Sequence, residues 1–319
     1  MPVRKTCYAE FCKLTAVPPQ LQPWWLDAVC GPQHWNVCLA SDGNGRTIAA
    51  LPYYIRRRMG LKVIQQPPLS SYGGPWLQYP ARSGFIGNNR YRFEKKIFEE
   101  MMRQLPEVVL FQQNFYPDRE NWLPFYWAGF RQTTRYTYAF ESIDDPEKIR
   151  AGFKNTLRTD LKKAEQAVNV FYETDSAALL FGLHEQSFAR KNTRPPYTFD
   201  TFNRLHCALV ERGQSRCYIA RDRQTSAAHA GLYLVFDESR AYVLLTGTDT
   251  DFKSSSAVWL LFWQAILFCA EKGIGLDFEG SMERDIERGF RAFGAPLVPY
   301  HRVWRAHNRL LDFVLRFRM

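Results

Sequence analysis

The segment 276-LDFEGSMERDIERGFRAFGAPLVPYHRV-303 carries the reading of the fold. It opens within a strand at 275–279, where alternation puts Asp277 and Glu279 on one face and Phe278 on the other. Gly280 then permits a bend or a close backbone approach. A helix at 286–293 and a strand at 297–305 follow. Two carboxylates on one face beside a sheet core are costly unless paired or put to use. Glu279 is therefore the leading candidate for a polar active-site group, with a structural ion pair to Arg284 or Arg291 as the alternative.

Working towards the N-terminus, 256–272 reads as a buried helix. Strands at 217–221, 228–236 and 241–247 precede it, joined by turns short enough for antiparallel hairpins. Before them come helices at 199–212 and 176–191 and a strand at 168–172. A helix capped by Asp145, with Pro146 in its first turn, runs to about residue 166. This order gives an α/β fold with a mixed, mostly antiparallel sheet flanked by helices. The first half holds strands at 49–55, 61–66, 108–112 and 133–140 and an aromatic turn at 121–129. Its helix at 90–105 has Phe93, Ile97, Met101 and Leu105 at four-residue intervals. A chain of 319 residues is long for one core, so two lobes are expected, 1–145 and 146–319.

Composition narrows the function. Hydrophobic residues are 46% and charged residues 23%, an ordinary globular balance. The net charge of +10 favours phosphate-bearing partners. Seven cysteines without a CxxC spacing read as reduced thiols, consistent with a cytoplasmic location. The six histidines form no HExxH or HxxxH pattern, so no metal is expected. The apolar run 257–270 is shorter than the roughly 20 residues of a membrane span, and residues 1–18 do not resemble a signal peptide. GxSxG, GxxxxGKS and GxGxxG are missing, which leaves hydrolase, NTPase and dinucleotide readings without their motifs.

Three segments suit anions. Lys154, Arg158 and Lys162 recur every four residues and form one stripe beside Leu157 and Leu161. A solvated helix face would show the same pattern. The stretch 244-LLTGTDTDFKSSSAVW-259 ends a strand, turns, and opens an apolar helix with three serines, as an anion site or as a simple cap. Arg190, Lys191 and Arg194 precede Pro195-Pro196 in a stiff basic loop of the kind that closes over substrates, or that merely turns at the surface. Further cations cluster over 302–318. Trp259 and Trp263 read as core, and the cluster of Trp122, Pro124, Phe125, Tyr126, Trp127 and Phe130 as packing at the lobe junction.

Four stretches resemble the Fem-like, GNAT-type acyltransferases, the group called GNAT domain-6: 121-NWLPFYWAGFRQTTRYTY-138, 155-NTLRTDLKKAE-165, 244-LLTGTD-249 and 276–303. The last is the most specific. The resemblance implies two GNAT-like lobes of the acyl-CoA N-acyltransferase fold, with the substrate site in the C-terminal one. It also implies attack of an amine on an activated acyl carbonyl without a covalent enzyme intermediate. No tightly bound cofactor is implied; acyl-CoA or aminoacyl-tRNA would be the co-substrate. By position, 253-KSSSA-257 is the coenzyme A loop, making Lys253, Ser254, Ser255 and Ser256 the donor-binding candidates, although it lacks the family's glycines. The helical-hairpin insertion of some tRNA-dependent relatives is not evident either.

The expectation is N-acyl or aminoacyl transfer to an amine on a nucleotide- or lipid-linked peptidoglycan precursor. Glu279 would take a proton or orient the amine, and Tyr300 would serve as the acid. Arg158, Lys162, Arg190 and Arg194 would hold substrate phosphates. The alternative is a non-catalytic protein binding RNA or a membrane surface on a decayed transferase fold.

Overall fold

A computed structural model describes residues 2–80, 87–280 and 282–307. Ser281 and the cations beyond residue 307 lie outside the described residues. The chain forms two compact units: unit 1 runs to Arg135 and resumes at Pro299, and unit 2 is Tyr136–Val298.

Unit 1 opens with helices α1 (Pro2–Leu14) and α2 (Pro23–Cys30) and strands β1 (Trp35–Ser41), β2 (Thr47–Arg58), β3 (Leu61–Gln65) and β4 (Trp76–Leu77). Met59 and Gly60, at φ 50° and 78°, make the tight left-handed turn that pairs β2 with β3 antiparallel. Helix α3 (Asn88–Arg103), strand β5 (Leu110–Asn114), helix α4 (Leu123–Trp127) and strand β6 (Arg131–Phe140) follow. Ile97 and Met101 of α3 are buried against the sheet, as their helical spacing predicts; Phe98 joins them, and Phe93 and Leu105 are partly buried. β3 pairs parallel with β5, and β5 pairs antiparallel with the last strand, β12 (Leu297–Ala306).

Along β6 the chain passes into unit 2. There follow α5 (Pro146–Ala151), α6 (Asn155–Ala167), β7 (Val168–Tyr172), α7 (Ala177–Ala189), α8 (Phe199–Glu211), β8 (Ser215–Asp222), β9 (Ala228–Phe236) and β10 (Arg240–Thr248). Helix α9 (Ala257–Lys272), strand β11 (Gly275–Asp277) and helix α10 (Arg284–Arg291) complete it. The strand order is β6-β11-β10-β9-β8-β7, antiparallel throughout except for the parallel pair β10–β11. Leu157 and Leu161 of α6 join Leu261, Trp263 and Ile266 of α9 in the core beneath the sheet, while α7 packs on β10. The fold is the expected mixed α/β arrangement of mostly antiparallel sheet and flanking helices.

The fold departs from its sequence reading in several places. The helix expected over 146–166 is broken: Phe153 is buried between α5 and α6, its ring 5.4 Å from Trp263. Helices α1 and α2 and strand β1 have no counterpart in the sequence pattern. The compact units divide at 135/136 rather than near 145, and the strand from Pro299 returns to unit 1. Pairing of β12 with β5, far apart in sequence, decides that return, and neither strand's composition announces it.

Candidate functional site

Strands β10 and β11 of unit 2 part partway along their length. β10 pairs with β11 only from Arg240↔Gly275 to Tyr242↔Asp277, and β10 then continues to Thr248 with no β11 residue opposite. A bulge between Val243 and Leu245 re-aims this free-running end. Polar groups at the mouth of a parted parallel pair can meet a ligand that enters between the strands.

Glu279 stands two residues past the end of β11. The strand expected over 275–279 needs correction: β11 ends at Asp277, and Glu279 takes φ +52°, a left-handed conformation. Asp277 and Glu279 therefore do not share a strand face. Asp277 is fully buried and shapes the turn. Its Oδ1 accepts the Glu279 N–H at 2.7 Å and the Thr137 hydroxyl at 2.6 Å, and Thr137 Oγ1 accepts the Gly280 N–H at 2.8 Å. Gly280 is required, since a Cβ there would lie 2.4 Å from the Thr137 Cα. Glu279 is half-buried, so Asp277 acts as the scaffold and Glu279 as the presented carboxylate.

Helix α7 fixes the facing edge. A Cβ on Gly247 would lie 2.4 Å from the His184 backbone nitrogen, so this glycine allows α7 to lie against β10. At that approach His184 Nδ1 lies 2.7 Å from the Thr246 carbonyl, and Nε2 2.9 Å from the Tyr197 hydroxyl. A carbonyl only accepts, so Nδ1 carries the proton. Burial holds the His184 pKa below its ordinary value, which leaves Nε2 as a bare acceptor for the Tyr197 O–H. The two rings are stacked at 12°. Burial first, and then the charge of Glu279, push the Tyr197 phenol well above its usual range. Sequence reasoning missed His184 and Tyr197, because their spacing forms no motif. The available signals were Gly247 within LLTGTD and the tyrosine closing the Arg-Pro-Pro loop.

The cationic candidates occupy different places. Arg190 donates to the Thr248 carbonyl at 3.2 Å and to Ser187 Oγ at 3.1 Å, so it braces the end of β10. Lys191 pairs with Glu283, linking the loop to the segment after Glu279, while Arg194 is exposed. Arg158 and Lys162 are exposed on α6, and Arg158 donates to the Ala151 carbonyl. Lys253–Ser255 form a turn of 3-10 helix, with Lys253 and Ser254 exposed and Ser255 buried. Ser256, at φ +58°, donates its hydroxyl to Asp160 Oδ1 at 3.0 Å. A carboxylate thus already sits at the start of α9. Trp263 is buried in the core, as expected.

Tyr300 belongs to unit 1, where its buried ring meets Tyr72 edge-on at 5.2 Å. Cavities of 480, 210 and 340 Å³ lie in unit 1, and Glu279 lines none of the three. Among the described residues no group of three or more His, Cys, Asp or Glu could hold a metal ion, and no helix is long and apolar enough to cross a membrane.

Residues 151–285 match the profile of the acetyltransferase (GNAT) domain. No curated protein matches the sequence. Among solved structures, FemX is similar over 89% of this chain and 92% of its own, at TM-score 0.63 and 11% identity. A tandem GNAT protein from the clavulanic acid biosynthesis pathway is similar over 95% of this chain and 94% of its own, at TM-score 0.51 and 12% identity. The C-terminal domain of a protein designated a lysylphosphatidylglycerol synthetase, from Agrobacterium fabrum, is similar over 91% of this chain and 89% of its own, at TM-score 0.50 and 14% identity.

Proposed function

We propose, from the premise that residues 151–285 belong to the acetyltransferase (GNAT) domain family, that this chain is an N-acyltransferase whose transfer site is the parted end of β10 and β11. The observation that supports this reading is a glutamate held on its Asp277-braced turn just past the end of β11, while the facing edge of β10 carries the His184–Tyr197 hydrogen bond. An amine attacking an acyl carbonyl must lose a proton, and the leaving group must gain one. Glu279 would orient the amine or take its proton. Tyr197, kept protonated by burial and by the charge of Glu279, would give its phenolic proton to the leaving group, and the proton taken up by Glu279 would then restore the phenol; neutral His184, whose Nε2 accepts the Tyr197 O–H at rest, would hold the phenol in place. Tyr197 takes this role in preference to Tyr300 because it lies in unit 2, with Glu279.

The donor we favour is an aminoacyl ester such as aminoacyl-tRNA, rather than acyl-CoA. The Lys253–Ser256 turn lacks glycine, and Asp160 beside Ser256 places negative charge where a coenzyme A diphosphate would have to sit. The designation of one fold neighbour, a lysylphosphatidylglycerol synthetase, supports an aminoacyl group as cargo. The acceptor is an amine on a phosphate-bearing precursor such as a nucleotide- or lipid-linked muramoyl peptide, with Arg158, Lys162 and Arg194 available to phosphates. A thermal-shift screen with coenzyme A, acetyl-CoA and UDP-muramoyl peptide tests this, since a ligand at a hundred times its Kd stabilises by about 2.7 kcal/mol. Stabilisation by the muramoyl peptide and none by coenzyme A is expected. Strong stabilisation by coenzyme A would overturn the donor assignment.

A further inference from the structure

Helix α4 in unit 1 turns its aromatic side chains in two directions. Phe125 is fully buried, its ring 5.4 Å from Phe98, 5.0 Å from Phe115 and 5.4 Å from Phe130. Successive helical residues are about 100° apart, so with Phe125 anchored inward and Pro124 buried beside it, the remaining side chains of the turn face outward. Leu123, Tyr126 and Trp127 are accordingly 50%, 58% and 60% exposed. The turn is held rigidly. Buried Glu94 of α3 accepts from Asn121 Nδ2 at 2.7 Å, from the Tyr79 hydroxyl at 2.7 Å and from Arg90 Nε at 2.8 Å. The exposed side chains therefore stand on a fixed platform.

Cations flank that platform on both sides. Arg92 and Lys95 of α3, with exposed Tyr91, line the 480 Å³ cavity whose other wall is Trp122, Leu123 and Trp127; Glu120 also lines it. On the opposite flank Arg131 lines the 340 Å³ cavity with Trp122 and Tyr126. Arg305 lies 4.3 Å over the Phe130 ring and donates to the Ala128 carbonyl at 3.2 Å. An apolar ridge bearing tryptophan and tyrosine between basic flanks is the composition that settles at a water–bilayer boundary.

We propose that α4 and its basic flanks form a docking surface for an anionic lipid bilayer. Leu123, Tyr126 and Trp127 enter the boundary between headgroups and acyl chains, and Arg92, Lys95, Arg131 and Arg305 meet lipid phosphates. A nucleic acid would use aromatic faces set along a cationic groove. Here the ridge includes Leu123, which has no π face, and the cations flank it instead of alternating with it. The docking surface is independent of the transfer chemistry assigned to unit 2.

The test is sedimentation of the full chain with vesicles of phosphatidylcholine alone and of an equal mixture with phosphatidylglycerol. Binding to the mixed vesicles and little to phosphatidylcholine is expected. The variant L123S/Y126S/W127S and, separately, R92E/K95E should each lower the partition coefficient by on the order of tenfold or more, given the contribution of each basic residue near an anionic surface. Melting temperatures should hardly change, since all five side chains are exposed. If the triple substitution fails to fold, R92E/K95E decides alone. Failure of the wild-type chain to bind mixed vesicles, or binding that R92E/K95E leaves intact, would overturn the proposal. So would binding of a tRNA probe that shows the same variant sensitivity without any binding to vesicles.

Discussion

Glu279 owes its position to its neighbours. A glutamate at φ +52° persists only where surrounding bonds over-determine it, and the Asp277–Thr137–Gly280 network does so. Gly280→Ala should therefore be costly, because its Cβ would meet the Thr137 backbone rather than a flexible side chain. A loss of about 3 kcal/mol or more is expected, at or beyond the upper range for overpacking, and a denaturant melt measures it. His184 makes a pH prediction. Burial lowers its folded pKa below the ordinary 6.5, so the unfolded chain binds the proton first as pH falls. The stability contributed by neutral His184 is full above about pH 6.5 and declines as pH drops through that value towards the folded pKa. His184→Gln should flatten this acid-side decline in melting temperature. An unchanged pH profile would mean that His184 titrates normally. Neither His184 nor Tyr197 was legible in the sequence, since their meeting depends on how closely α7 approaches β10, and only Gly247 hints at that.

The elements of unit 2 were largely legible. The apolar stripe of α6 follows from helical spacing because one face lies in the core, whereas β9 and α9 read as apolar runs because they are buried almost throughout. β11 was legible in existence but not in length: Glu279 continues its polar–apolar alternation, yet side-chain bonds to Asp277 and Thr137 turn the backbone away first. Sequence pattern reports burial, whereas chain reversal by side-chain hydrogen bonds leaves no period behind. On α6 the exposed cations and the buried leucines are separable. Replacing Arg158 and Lys162 together with alanine should raise KM for a phosphate-bearing acceptor and change stability by less than about 1 kcal/mol, because exposed charges contribute little. A larger loss of stability with unchanged KM would make the pair structural, and steady-state kinetics alongside a melt separates the outcomes.

At the scale of the molecule, two units of mixed α/β structure carry different assets. Unit 2 holds the GNAT domain match and the parted strands; unit 1 holds the described cavities and the exposed aromatic ridge. Length and element order lead to the expectation of two lobes, 1–145 and 146–319. The return of β12 to unit 1 could not be anticipated, because long-range strand pairing depends on the partner and not on the strand's own residues. The central claim is that unit 2 transfers an acyl group through Glu279. Its most direct test is mass spectrometry of a UDP-muramoyl peptide incubated with the protein and aminoacyl-tRNA, for wild type and Glu279→Gln. The account predicts that the peptide gains the mass of one aminoacyl residue with wild type, and that the variant folds normally but turns over about 10²–10⁴ times more slowly. Equal turnover by Glu279→Gln would contradict it.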